Sequence, residues 1–175
     1  LPISILKKKT MATACVTDLA LGPYKGKETG EPALLRALLG SFAPGDIAVA
    51  DRYYCSFMMI ALLLRQNVQT CARKHQLRHS DFRRGQRLGK YDHLIMWTRP
   101  ARPKWMDAAT YAQIPETLTL REIHYNIVVA GRRTRTIDII TTLLDADAFT
   151  QQDIAHLYGF RWNAELDIRS IKASL

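Results

Sequence analysis

The order of apolar and polar positions divides the chain into two unlike stretches. Residues 3–6 (Ile-Ser-Ile-Leu) and 11–19 (Met-Ala-Thr-Ala-Cys-Val-Thr-Asp-Leu) have the β-branched, alternating character of two strands, joined by the polar link Lys7-Lys8-Lys9-Thr10. A loop rich in Gly and Lys follows over 22–30. Pro32 suits the first turn of a helix, and Leu34, Leu35, Leu38 and Leu39 give that helix its apolar side. Pro44-Gly45 ends it. Between Asp46 and Asp51 lies the short run Ile-Ala-Val-Ala, which has the look of a buried parallel strand. A second helix over about 56–66 is apolar nearly all round, which places it deep in a core, and 68–72 gives another strand. Helix alternating with apolar strand is an α/β pattern.

From 75 to 149 the pattern changes. Strands are expected at about 91–98, 118–127 and 134–144, broken by Gly85, Gly89, Pro100, Pro103, Pro115 and Gly131, with a short helix near 106–113. From Thr150 the chain is helical to its end, and Thr150-x-x-Asp153 can cap the start. The expected organisation is therefore a core part (1–74), a β-rich insertion (75–149) and a returning helix of the core (150–175).

Charge sharpens the middle segment. The 175 residues carry a formal charge of +9, and Arg73 to Lys104 holds ten Lys and Arg against two Asp, or +8 of that excess. Such a patch points to a polyanion, and with Trp97 and Trp105 among the cations it reads as a DNA-binding insertion or a solvated face. Arg83, Arg84 and Arg87 are its densest cluster. No apolar run approaches the roughly 18 residues of a membrane span, so no membrane partner is expected. Three cysteines without a C-x-x-C argue for a reducing cytoplasm and against a disulfide scaffold. The chain opens on Leu1 without a signal peptide and reads as an internal piece of a longer protein. Cys71, His75 and His79 have helical zinc spacing, but they fall on a strand leading into a basic loop.

At about 100° per residue, Tyr158, Arg161, Glu165 and Lys172 share an arc of roughly 60°, while Leu157, Phe160, Ala164, Ile168 and Ile171 form an expected core stripe beside it. A salt-bridged surface helix and a cleft wall both accommodate this arrangement. The spacing Tyr158-x-x-Arg161-x-x-x-Glu165-x-x-x-x-x-x-Lys172 resembles the Y-(2)-R-(3)-E-(6)-K motif of bacterial transposases of the insertion-sequence-4 family. Gly45-Asp46-Ile-Ala-Val-Ala-Asp51-Arg52-Tyr53-Tyr54 resembles the strand that ends in that family's second catalytic Asp.

The resemblance spans essentially the whole chain. It implies an α/β fold with an RNase H-like (retroviral-integrase-like) core and a mostly β insertion before the last helix, for which Asp51 to Glu165 leaves 113 residues. The elements in order fit that core with its first strand removed. The resemblance also implies a nucleoid-associated bacterial protein that acts on DNA, both transposon ends and target, with Mg²⁺ or Mn²⁺, and works as a homodimer in a synaptic complex. Asp51 and Glu165 would be catalytic and metal-binding, because hard divalent ions take carboxylate oxygens. Tyr158, Arg161 and Lys172 would hold phosphates, Trp162 would stack a base or pack the helix, and Arg52 would contact DNA or make an internal ion pair. The family's first Asp belongs on a strand upstream of the two at the start of this chain, and Asp18 reads as a strand-end residue. A transposase catalytic segment lacking one metal ligand is thus expected. A noncatalytic or decayed nucleic-acid-binding domain is the alternative.

Overall fold

The computed structural model describes residues 3–9, 16–23, 30–127 and 135–161. Strands β1 (Ile3–Lys9) and β2 (Val16–Pro23) pair antiparallel, from Ile3 opposite Pro23 to Lys8 opposite Asp18, with an irregularity before Lys9 meets Val16. The second strand runs on to Pro23, past the Leu19 expected as its end. Lys7 to Lys9 belong to β1, and Gly22-Pro23 close β2 instead of opening the loop. A lysine backbone can pair in a strand while its long side chain reaches a partner beyond it. Lys8 donates to the Ser41 carbonyl at 2.5 Å, lies 3.6 Å from Asp46 and sits over the Phe42 ring.

Helix α1 (Glu31–Ala37) has Pro in its first turn, as its sequence suggests. Its leucines serve two partners. Leu34 and Leu38 are buried with Ala20 of β2, whereas Leu35 and Leu39 pack on Met59, Leu63 and Val68. Strand β3 (Ile47–Ala50) runs parallel to β4 (Gln69–Arg73), with helix α2 (Phe57–Arg65) crossing between them. Ser56 caps α2 by accepting from the Met59 N–H at 3.3 Å. Phe57 to Ala61 and Leu63 are all buried, so α2 is the core helix that its composition predicts.

Strands β5 (Gln86–Gly89), β6 (Asp92–Thr98), β7 (Thr117–Ile127) and β8 (Arg135–Thr141) form an antiparallel meander, with α3 (Ala108–Ala112) between β6 and β7. β5 is an addition to the expected strands. It is short and polar, so its sequence carries no period-2 apolar signal. The meander is not a separate sheet. β8 pairs antiparallel with β4, giving one six-stranded order β3-β4-β8-β7-β6-β5. The fold is mixed α/β with a mostly antiparallel sheet.

Both faces of this sheet are covered, and neighbouring residues on one strand point to opposite cores. Ala72 and Ile140 join Phe57, Ile60, Trp97, Met106 and Leu120 on the α2 side. Cys71 and Ile139 join Ile123, Ile137, Leu143, Ile154 and Tyr158 on the other, where helix α4 (151–161) lies. Trp97 and the half-buried Trp105 thus serve the core of the insertion, and Arg78 and Arg36 stack on them at 3.7 and 4.2 Å.

Charges inside the sheet are fully matched. Arg121, wholly buried, donates to both Asp92 oxygens at 2.8 and 2.5 Å and to the Phe149 carbonyl at 2.6 Å. Glu122 receives Lys74 and Ser80, each at 2.6 Å, and lies 2.9 Å from His93 Nε2. Removing one partner of a buried pair leaves an uncompensated charge, which costs about 3–5 kcal/mol. Asp92→Ala is therefore expected to lower unfolding free energy by about that amount in urea titrations, against about 0–1 kcal/mol for Lys8→Ala at the more exposed pair with Asp46. Equal effects would show that Arg121 is not held as described.

Candidate active site

Asp51 follows the last residue of β3, where the chain turns sharply into a 3₁₀ turn (Arg52–Tyr54). Its own side chain makes that turn. Asp51 Oδ1 accepts from the Arg52 N–H at 2.7 Å, and its carbonyl accepts from the Tyr54 N–H at 3.0 Å. The other carboxylate oxygen, Oδ2, points to α4 and lies 3.2 Å from Arg161 Nη2. The acid is thus fixed at a strand end with one oxygen directed at a cation.

Helix α4 is anchored at both ends of its described length. Thr150 and Asp153 cap the start reciprocally, with Thr150 N and Oγ1 donating to Asp153 Oδ2 at 2.9 and 2.6 Å, and Asp153 N donating to Thr150 Oγ1 at 3.2 Å. Tyr158, expected on the phosphate-facing arc, is 0% exposed and packs with Cys71, Ile123, Ile139 and Ile154. Phe160, expected in the core stripe, is instead 42% exposed and stacks against His156 at 4.7 Å. Leu157 of the expected stripe packs half-buried against the Tyr158 cluster, and the buried face runs through Ile154, Ala155 and Tyr158. Arg161, three residues on, lies at the border of that face. It reaches Asp51 while its guanidinium stays 5.9 Å from the Tyr158 ring.

Burial pushes the Tyr158 hydroxyl up to about 12. The Arg161 charge works against that rise and the Asp51 charge adds to it. Arg52 donates to Gln76 Oε1 at 2.7 Å, and Tyr53 meets His75 edge-on at 6.4 Å. The strap after β4 therefore holds the turn that follows Asp51. Nothing in the spacing of these residues signals that clamp. The pairing of Asp51 with Arg161, across 109 intervening residues, is equally invisible to local patterning.

The basic segment separates into two groups. Arg99 donates to the Ile114 and Tyr111 carbonyls at 2.5 and 3.1 Å, Arg102 to the Met106 carbonyl at 2.6 Å, and Lys74 is buried against Glu122. These are structural cations. Arg83 and Arg84 have side chains 90% and 87% exposed and share Asp81 at 2.8 and 3.3 Å. The hydrogen bonds from Arg83 hold the Asp81 carboxyl down at about 2. Arg87 is also exposed, its Nε 3.3 Å from the Gly89 carbonyl.

Glu165, Lys172 and Trp162 lie outside the described residues. Among the described residues, no three or more His, Cys, Asp or Glu gather as a metal site. Cys71 is buried in β4, and desolvation pushes its thiol up to about 12. No described helix is long and apolar enough to cross a membrane.

The family described as "Transposase DDE domain" matches residues 13–175. The chain is also 23% identical over 181 residues to "Transposase InsG for insertion sequence element IS4" of Escherichia coli (strain K12), an alignment that covers 99% of this chain. The chain spans 36% of that relative's length.

The Tyr158 environment gives a pH test. Its folded value lies above the ordinary tyrosine value of 10.0, at about 12, so its contribution to stability is fully present below 10 and is lost as pH rises toward 12. Absorbance titration at 295 nm should show one tyrosine ionising near pH 12 in the folded chain. Tyr158→Phe should remove that component and reduce the loss of stability between pH 10 and 12.

Proposed function

The chain belongs to the DDE transposase family, and from that premise we propose that it is the catalytic-core segment of an insertion-sequence-4-type transposase, acting on DNA at transposon ends. The observation that carries this reading is the meeting of Asp51 and Arg161 at 3.2 Å. It brings the helix that carries Tyr158 and Arg161 against the end of β3 at Asp51.

Divalent ions such as Mg²⁺ or Mn²⁺, when bound, would supply Lewis acidity toward the phosphodiester. Asp51 suits a hard cation, since its Oδ2 already faces a positive group and its Oδ1 is steadied by a backbone donor. We assign Asp51 and Glu165 to holding such ions, and Glu165 stands four residues beyond Arg161 in the sequence. Arg161 and Lys172 grip phosphate oxygens, Arg through its planar fork. Tyr158 supports that grip from within the core, and Trp162 offers a stacking surface. Arg83, Arg84 and Arg87 form the outer electrostatic grip, and Arg52 contacts DNA beside Asp51.

We further read the core as RNase H-like with its first strand outside these residues. Among the described strands, β3 is paired along one edge only. Asp18, the one candidate within the chain for the first Asp, lies on β2 opposite Lys8 in the separate hairpin, its Oδ1 accepting from the Leu19 N–H at 2.8 Å. It is not on the sheet of Asp51, which supports reading the triad as incomplete here.

Purified 175-residue chain with Mg²⁺ or Mn²⁺ is therefore expected neither to nick nor to join transposon-end DNA in gel assays. A longer chain carrying the upstream strand is expected to do both, and to lose both with Asp51→Asn. Strand transfer by the short chain would sink the incomplete-triad reading. A longer chain that binds transposon ends yet neither nicks nor joins them would favour a noncatalytic DNA-binding domain, and cleavage that survives Asp51→Asn would remove Asp51 from the catalytic set. Binding itself should weaken steeply with salt, and the Arg83, Arg84 and Arg87 triple alanine variant should reduce the log–log slope by up to about 3.

A further inference from the structure

The ion pairs of this chain fall into two kinds. Asp92 with Arg121 and Glu122 with Lys74 are nearly dry, with contacts as short as 2.5 and 2.6 Å and further polar groups on either side. Asp51 with Arg161 is longer at 3.2 Å, and its side chains keep 31% and 18% of their exposure. The first kind is structural. The second stands at the surface, where solutes reach both partners.

Asp51 Oδ1 accepts from the Arg52 N–H that shapes the turn, and Oδ2 faces Arg161. A divalent ion on this carboxylate therefore stands close to the guanidinium, and the two like charges repel at such distances. Displaced from Asp51, Arg161 loses a partly exposed pair that another anion can replace. A phosphodiester provides that acceptor, matching the guanidinium fork as well as a carboxylate does.

We propose that Arg161 is the resident counter-ion of Asp51, displaced by a divalent cation and received by a DNA phosphate, so that metal and DNA each make room for the other. The proposal rests on reading Asp51 as a metal-binding carboxylate. The pair then acts as a lock. With neither ligand bound, Asp51 is neutralised and draws metal weakly. DNA removes the competing charge, and linkage requires metal to favour DNA by the same factor.

The test measures Mn²⁺ binding to the 175-residue chain from the electron paramagnetic resonance signal of free Mn²⁺, with and without a 20-base-pair duplex, for wild type, Arg161→Gln and Asp51→Asn. Metal taken up by the duplex is subtracted using the Asp51→Asn sample, and circular dichroism checks each fold. Arg161→Gln is expected to bind Mn²⁺ roughly fivefold or more tightly than wild type without DNA. The duplex should tighten Mn²⁺ binding to wild type by a similar factor and change Arg161→Gln little. A loss or no gain of affinity in Arg161→Gln overturns the lock. So does a duplex effect that persists undiminished without Arg161. Should Arg161→Gln fail to fold, the wild-type chain alone decides, because absence of duplex-enhanced Mn²⁺ binding refutes the proposal. Asp51→Asn binding Mn²⁺ as wild type does would instead remove the metal reading of Asp51. Loss of Mn²⁺ in Asp51→Asn without gain in Arg161→Gln leaves that reading standing and the lock refuted.

Discussion

Strand β4 must satisfy hydrogen-bonding neighbours on both edges and packing on both faces. Its inner residues Thr70, Cys71 and Ala72 are accordingly small and buried. On one edge it pairs in parallel with β3 and so sets where Asp51 emerges. On the other it meets β8 through Cys71 opposite Thr141 and Ala72 opposite Ile140. Two threonines tighten that junction, Thr141 Oγ1 donating to the Thr70 carbonyl at 2.7 Å and Thr142 Oγ1 accepting from the Thr70 N–H at 2.8 Å. A rigid sheet therefore carries both the candidate acid and the basic meander. Without this junction the cationic strands would have no fixed relation to Asp51.

The strap leaving β4 adds a second connection. Within a few residues it places Lys74 against Glu122, His75 beside Tyr53, Gln76 on Arg52 and Arg78 over Trp97. Each contact joins the turn after Asp51 or the end of β4 to a strand of the insertion or its neighbours. It also explains why net charge overstates what a polyanion would meet. Lys74, Arg78, Arg99 and Arg102 lie inside the basic segment, yet they are engaged by carboxylates, rings or carbonyls of the fold. Arg83, Arg84 and Arg87 are exposed, as are Lys90 and Lys104.

Much of the fold is legible because its signals are local. Ile47 to Ala50 between two acids, the all-round apolar 57–63, and the alternation of β6 and β7 each fix an element from its own residues. The hairpin is less legible, since three lysines resemble a turn until their strand partner is known. β5 has no apolar period at all. The site divides in the same way. Asp51 and the Tyr158–Arg161 spacing can be read directly, whereas the orientation of α4 cannot. Its residues offer two apolar arcs, one through Ile154 and Tyr158 and one through Leu157 and Phe160. Only the shape of the opposing sheet selects the first.

That selection has a chemical consequence. With Leu157 and Phe160 innermost, the helix would turn Arg161 through about 100°, away from the border where it meets Asp51. Burying Tyr158 instead uses a large ring to set the rotation of the helix, and places a cation three residues later at the strand end. The hydroxyl is carried along at an energetic disadvantage for ionisation, which its rise to about 12 records. The core residue thus determines the electrostatics of the site without having to touch a ligand. A smaller residue at 158 would weaken the restraint on α4, so Arg161 would lose its aim at Asp51 even with every charged group still present.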